Sequence, residues 1–125
     1  MSFEAALKSQ IEAATQRPVY PLLLPQRVTL PASTYQVISE TRVRSQDGDS
    51  RLPTTRVQVD HYADTYSAAA EMDRQLVARL APGRGTYGQL IAENIIIESA
   101  TDDIDPITLR YRRTRDYLLT HKEVL

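Results

Sequence analysis

The sequence predicts a two-layer α+β fold in which two helices pack on a four-stranded antiparallel sheet, in the order α-β-β-α-β-β. Two segments, 3–14 and 66–80, repeat apolar residues at helical spacing. Two further segments, 35–62 and 90–119, each contain a pair of runs with the two-residue alternation of half-buried strands. The short loops within each pair favour antiparallel hairpins with the helices on one face. With 125 residues, we expect a single domain over 1–125.

The composition limits the classes of function. The formal net charge of −1 argues against a dedicated nucleic-acid-binding protein, which needs a basic surface. The absence of cysteine excludes disulfides and thiolate chemistry. No apolar run reaches the roughly 18 residues of a membrane span, so no membrane contact is expected.

The first helix has a capping residue and one apolar face. Ser2 can accept a hydrogen bond from an otherwise unpaired amide of the first turn. Phe3, Leu7, Ile11 and Ala14 recur on one side of the helix.

The segment 18–34 is rich in proline. Pro18, Pro21 and Pro25 enclose the apolar run Val19–Leu24. Proline cannot donate to a sheet ladder, so this run cannot be a central strand. The sequence predicts an extended, partly buried connector.

The first hairpin has a long acidic tip. Alternating runs over 35–43 and 55–62 are separated by a cluster of turn-forming residues. The tip, 45–52, carries Asp47 and Asp49 and is too long for a tight turn. We therefore predict a mobile loop that contacts other chains.

The second helix, Tyr66–Leu80, is predicted to be capped by Asp64 or Thr65 and to end before Gly83, which can adopt a left-handed conformation. Its charged residues are predicted to face the solvent; they are Glu71, Asp73 and Arg74. Its apolar stripe consists of Ala69, Met72, Leu76 and Leu80.

The stretch 105–121 organises the other elements because it is the longest alternating run. The third strand is predicted over Leu90–Ser99, and a turn at Thr101–Asp105 leads into this fourth strand. A β-bulge is predicted near Arg113 and Arg115, where the apolar phase becomes basic. The apolar phase consists of Ile107, Leu109, Tyr111, Tyr117 and Leu119.

Four arginines on this strand form the dense basic run of the chain. Arg110 and Arg112 share one face, and Arg113 and Arg115 share the other. One interpretation is a nucleic-acid groove in which neighbouring tyrosines stack on bases.

Two other interpretations of these arginines remain open. The first, which the pattern favours, is cross-strand pairing with carboxylates such as Glu93 or Glu98. The second is a contact between subunits, for which the planar guanidinium is well suited. The candidate interface residues are therefore Asp47, Asp49, Arg110, Arg112, Arg113 and Arg115.

No catalytic, cofactor-binding or metal-binding residue is predicted. Asp60, His61 and Asp64 could belong to a small hydrolase, but neighbouring strand residues point to opposite faces, so Asp60 and His61 cannot form a dyad. Two histidines without cysteine make a zinc site uncommon.

The pattern as a whole resembles the tail completion, or tail terminator, proteins of tailed bacteriophages. The resemblance covers roughly 18–121. The segments that carry it are Pro18-Val-Tyr20, Tyr35-Gln-Val37, Arg56-Val-Gln-Val-Asp60-His-Tyr62-Ala, the helix with Tyr66, Ala69 and Leu76, and Asp105-Pro106 before Tyr111-Arg-Arg-Thr-Arg-Asp116-Tyr117.

This resemblance implies a non-enzymatic virion protein. Such proteins form a ring, commonly a hexamer, on the last ring of the tail tube. The implied partners are copies of the chain, the tail tube protein and the head completion or connector protein. The implied location is the head–tail interface of a virion assembled in the host cytoplasm.

Overall fold

The computed structural model describes residues 2–42, 44–45, 48–49 and 52–122, with side chains over 2–42 and 52–122. The helices are α1 (Phe3–Thr15) and α2 (Tyr66–Leu80). The strands are β1 (Val19–Pro21), β2 (Ala32–Thr41), β3 (Arg44–Ser45), β4 (Gly48–Asp49), β5 (Thr54–Ala63), β6 (Gly85–Tyr87), β7 (Leu90–Ile104) and β8 (Tyr111–His121).

The main sheet contains six strands in the order β1-β2-β5-β8-β7-β6. Strand β1 runs parallel to β2, and the other neighbours are antiparallel. The predicted four-stranded antiparallel sheet is therefore wrong, although the fold is α+β. The four long strands lie in the middle, and a short strand at each edge makes the sheet larger and mixed. Strands β3 and β4 form a separate two-stranded pair.

The proline-rich segment supplies the first edge strand. Val19 and Pro21 align with Ser33 and Tyr35 of β2. Proline is tolerated there because an edge strand needs hydrogen bonds on one side only. Val19–Pro21 thus forms a strand, while 22–31 connects it to β2.

The glycine-rich loop after α2 supplies the other edge strand. Gly88, at φ +60°, turns the chain so that β6 folds back on the start of β7. A Cβ at this position would lie 2.9 Å from Nε2 of Gln10, so both the backbone conformation and the space favour glycine.

Both helices contribute to one hydrophobic core. Helix α2 packs on β5 and β8, while α1 packs beside α2 and contacts β1 and β7. Ser2 caps α1, and Thr65 caps α2 by accepting from the amide of Ala68 at 3.2 Å. The largest fully buried apolar side chains are Leu7, Ile11, Val57, Val59, Leu76, Leu80, Leu90, Tyr117 and Leu119.

The β7–β8 hairpin extends farther than predicted and begins its second strand later. Strand β7 continues to Ile104, and a turn separates it from β8. Ile107 and Leu109 lie in that turn and are 91% and 62% exposed, so their predicted burial is wrong. A register shift lies between Ile97 and Ala100, opposite Asp116, which places the bulge on β7 instead of β8.

A buried ion pair joins α2 to β8. Asp73 is 1% exposed, although the sequence predicted that it faces the solvent. Nε and Nη2 of Arg115 donate to the two carboxylate oxygens of Asp73, each at 2.9 Å. Nη1 of Arg115 also donates to the carbonyl of Glu98 in the β7 bulge at 2.6 Å. One guanidinium therefore fixes a helix and two strands.

We predict that Asp73→Ala lowers the free energy of unfolding by about 3–5 kcal/mol, because it leaves the Arg115 charge buried without its partner. The double variant Asp73→Leu/Arg115→Met should recover most of this loss, since it removes both charges. Urea unfolding at neutral pH measures both effects.

The matched control is Glu71→Ala on the same helix. Glu71 pairs with Arg74, and both side chains are more than half exposed. Its removal should cost at most about 1 kcal/mol. Equal losses in the Asp73 and Glu71 variants would contradict the anchoring role of Asp73.

Candidate interaction surface

The four arginines of the predicted basic run lie on two faces of the sheet and at its end. Arg113 and Arg115 point to the helix-covered face, as Tyr117 and Leu119 do. Arg112 points to the opposite face, and Arg110 lies in the turn before β8. The run therefore does not form one continuous basic surface.

Arg113 joins the far half of the β7–β8 hairpin, which is the part of β7 from Ala100 to Ile104 with the strand residues opposite it, to the start of α2. It donates to both carboxylate oxygens of Asp102, at 2.7 and 3.1 Å, and to the hydroxyl of Tyr66 at 2.8 Å. Its guanidinium also lies over the Tyr66 ring, 5.5 Å from the centroid. The hydrogen bond from Arg113 lowers the pKa of the Asp102 carboxyl, with a smaller contribution from the Tyr66 hydroxyl. Asp102 therefore remains ionised, and this half of the hairpin is held in place.

Cross-strand pairing is correct for Arg112 and Arg113, but the two partners predicted for the basic strand, Glu93 and Glu98, are wrong. Glu98 pairs with Arg56 at 3.2 Å, and Glu93 pairs with Arg84 at 3.4 Å. The carboxylates that the basic strand contacts come instead from α2 and from the far half of β7. They are Asp73, Asp102 and Asp103.

A cleft of about 430 Å³ lies beside the hairpin on the face without helices. Arg112 donates to Asp103 at 2.7 Å within it. Arg110 makes no ion pair among the described residues. The lining residues are Tyr62, Asp103, Ile104, Asp105, Pro106, Arg110 and Arg112.

The hairpin turn is held by its own hydrogen bonds. A carboxylate oxygen of Asp105 accepts from the amides of Ile107 and Thr108, at 2.9 and 3.3 Å. The amide of Leu109 donates to the carbonyl of Asp105 at 2.7 Å. The amide of Asp105 donates to the carbonyl of Arg110 at 3.0 Å. The hydrogen bond from the amide of Ile107, followed by that from the amide of Thr108, lowers the pKa of the Asp105 carboxyl. The turn is thus defined although it is exposed.

This defined turn presents large apolar side chains to the solvent. Ile104, Ile107 and Leu109 are 41%, 91% and 62% exposed. Leu109 also adopts φ +57°, a left-handed conformation that costs a non-glycine residue about 1 kcal/mol or more. Neither burial nor backbone preference accounts for leucine there, so the turn is a candidate contact surface.

The predicted acidic tip of the first hairpin falls largely outside the described residues. Asp47 is outside them, and Asp49 is described only as part of the backbone of β4. The prediction that this loop contacts other chains remains a prediction.

The three residues of the hydrolase interpretation are not brought together. His61 is completely buried on the helix-covered face, whereas Asp60 is half-buried on the other face. Nδ1 of His61 lies 2.7 Å from the hydroxyl of Ser33. Asp64 is exposed at the turn before α2.

Burial lowers the pKa of His61 to about 4, against an opposing attraction to Asp73 and with a smaller contribution from the charges of Arg115 and Arg113. His61 is therefore a neutral residue of the core at neutral pH. The described residues contain no group of three His, Asp or Glu side chains that could hold a metal ion.

Comparison with known proteins gives a likeness of fold. No family model and no curated protein matches the sequence. A similar solved structure is a chain of the virion of a native gene transfer agent particle, with a TM-score of 0.74 and 10% sequence identity. The match covers 97% of this chain and 95% of that one, so the two share the fold over almost their whole length. Within the described residues, no helix is long and apolar enough to cross a membrane.

The burial of Asp73 and its pairing with Arg115 were missed in the sequence, although both residues left a signal. Asp73 lies four residues after Ala69 and three before Leu76, which places it on the apolar stripe of α2. Arg113 and Arg115 lie in the apolar phase of β8. A buried cation requires a buried anion, so the two anomalies predict each other.

We predict that His61 makes the protein less stable as the pH falls from 6.5 to 4. The unfolded chain takes up a proton on His61 near pH 6.5, while the folded chain resists protonation until about pH 4. Between pH 7.5 and 4.5, this difference should remove roughly 2–3 kcal/mol from the free energy of unfolding.

His61→Asn is the comparison variant, because it keeps a polar group near Ser33 but cannot titrate. Urea unfolding at the two pH values should show a smaller loss in this variant than in the wild type. Identical losses would contradict the buried, neutral histidine.

We predict that Leu109→Gly changes the free energy of unfolding by less than about 0.5 kcal/mol, because glycine adopts the left-handed conformation without strain. Leu109→Val should lose about 1 kcal/mol, since a β-branched residue fits that conformation poorly. Thermal and urea unfolding of the two variants provide the measurement. A large loss in the glycine variant would show that the leucine side chain serves the fold itself.

Proposed function

We propose that this chain is a non-enzymatic structural protein of a phage-like virion, which forms a ring on the end of the tail tube and joins it to the head connector. The ring stops growth of the tube. It presents one surface to the tube and another to the connector. Its location is the head–tail interface.

The likeness to a chain of a gene transfer agent virion carries this proposal. It covers 97% of the chain, so it concerns the whole fold and not one motif. The sequence pattern over 18–121 independently resembles phage tail completion proteins. The two observations favour a virion protein, and the tail-terminating role rests on the sequence resemblance.

The surface chemistry is also compatible with assembly by contacts. The hairpin turn exposes Ile107 and Leu109 in a defined conformation, surrounded by charged residues. A defined apolar turn costs little entropy on binding, which favours its use as a contact with another protein. We propose that Arg110 and Arg112, beside the cleft, belong to the same contact region.

Nucleic-acid binding receives less support than a protein contact. Arg113 and Arg115 are held by Asp102 and Asp73, and Arg112 by Asp103. A phosphate backbone would have to displace these carboxylates, whereas nucleic-acid grooves rely on cations that are free to meet phosphates.

The experiment is deletion of the gene in the phage-like element that encodes it, followed by electron microscopy of the particles. The proposal predicts tubes of uncontrolled length without heads, and separate filled heads. Supplying the wild-type chain should restore joined particles of normal length. Normal particles after deletion would disprove the proposal.

The hairpin turn provides a sharper variant. Ile107→Asp/Leu109→Asp should fail to restore joined particles while keeping the melting temperature within a few degrees of the wild type. The matched control is Leu22→Asp/Leu23→Asp, whose side chains are 62% and 80% exposed on the segment after β1. If both double variants failed equally to restore joined particles, the cause would be a general effect of charge rather than a contact at the turn.

A further inference from the structure

The main sheet has a free edge on each side among the described residues. Strand β6 covers Leu90–Ala92 of β7, and the chain before β6 continues along β7 to Gly83, which lies next to the amide of Ile95; the edge without such a neighbour therefore begins at Ile96 and extends to Ile104. Strand β1 covers only Ser33–Tyr35 of β2, which leaves 36–41 uncovered. Long uncovered edges offer unpaired amides and carbonyls to another strand.

The two free edges lie at the same height, meaning the same position along the strand direction of the sheet. Through the register of the central strands, Thr41 is level with Asn94, and Ser39 is level with Ile96. Strands β2 and β7 also run in opposite directions, since three antiparallel pairings separate them. One copy can therefore lay the edge of its β7 antiparallel to β2 of the next at matching height, with one register irregularity on the β2 side, between Val37 and Ser39.

Exposed isoleucines occur at this common height on both edges. Ile96 on β7 is 46% exposed, and Ile38, next to Ser39 on β2, is 44% exposed. A contact between the two edges would bring these side chains close together. One exposed isoleucine on each edge at the same height fits a contact between one edge and the other edge of the next copy.

The bulge in β7 lies next to the place where β7 of one copy would otherwise collide with β1 of its neighbour. Strand β1 lies outside Ser33–Tyr35 of β2. Across the sheet, these β2 residues are level with Ala100–Asp102 of β7. The bulge between Ile97 and Ala100 lies just above that level. Because a bulge bends its strand, it can direct the far half of the hairpin away from β1 of the neighbour.

We propose that copies of this chain associate head to tail, with the β7 edge over 96–98 of one copy pairing antiparallel with the β2 edge over 36–39 of the next. The sheet then continues from copy to copy. Such a contact is heterologous, so repeating it closes a ring when the rotation per copy allows. This inference rests on the proposed ring and names the contact that forms it.

Cysteine cross-linking tests this contact directly, because the chain has no cysteine of its own. The variant Ser39→Cys/Ile96→Cys places one thiol on each edge at the same height. Directly opposite residues in an antiparallel ladder have Cβ atoms about 5 Å apart. A short bismaleimide, which also tolerates a slip of one residue, should therefore yield a ladder of covalent multimers on denaturing gels.

Three control variants separate this contact from others. The single variants should yield no ladder, because a head-to-tail contact never brings two copies of one edge together. Dimers from Ile96→Cys alone would reveal a two-fold contact and overturn the proposal. Ser39→Cys/Ser9→Cys, with the second thiol on an exposed position of α1, should also give no ladder; equal cross-linking there would indicate random collisions.

A charge on the free edge gives a second test. Ile96→Lys should weaken self-association at least tenfold by light scattering after gel filtration, since lysine on an edge opposes strand pairing. Ile91→Lys is the matched control, because Ile91 is 39% exposed on the same strand but its edge is covered by β6. Equal effects of the two variants would overturn the proposal.

The same reagents distinguish failure of the contact from failure of the proposed function. Cross-linking is performed on the purified chain and on particles restored by each cysteine variant. Restored particles without a ladder would overturn the edge contact and leave the ring function standing. A chain that never self-associates, and whose deletion leaves particles normal, would overturn both.

Discussion

A carboxylate inside the core determines how this fold is assembled. Asp73 is buried on α2, and an ionised carboxylate at such a depth requires cationic partners. Arg115 meets that requirement through two hydrogen bonds and uses its remaining nitrogen on the carbonyl of Glu98. The helix position, the direction of β8 and the bulge in β7 are therefore coupled through one side chain. A hydrophobic pair of similar volume would stabilise the layers without specifying this geometry.

From this anchor, the interactions change gradually toward the exposed turn. Arg113, two residues before Arg115, contacts Asp73 at 3.5 Å and pairs more closely with Asp102. Tyr66 joins this cluster at the start of α2, where it also contacts Tyr111 edge to face. Beyond it, the turn relies on hydrogen bonds from the backbone to Asp105. The turn with Ile107 and Leu109 is thus positioned by a continuous series of polar contacts that begins in the core.

The sequence predicted the central elements because their signals are local. Helical spacing and alternation identified both helices and the four long strands. The short edge strands were missed because a three-residue strand carries almost no periodicity, and prolines normally indicate a connector. Asp73 was assigned to the solvent by residue type, although its position on the stripe of α2 favoured burial. The exposure of Ile107 and Leu109 could not be predicted from alternation, since the pattern continues across a turn that only the pairing of β7 with β8 defines.

The central position of β8 has a consequence for synthesis on the ribosome. Strand β8 lies between β5 and β7, and its Thr120 contacts Thr54 across 66 residues of sequence. During translation, β5 and α2 leave the ribosome before β8 is synthesised. Until then, their apolar faces lack the strand that packs against them, and Asp73 lacks Arg115. Contacts between residues so distant in sequence also slow folding. The nascent chain therefore exposes these apolar faces for longer than a protein of this size built from sequential hairpins.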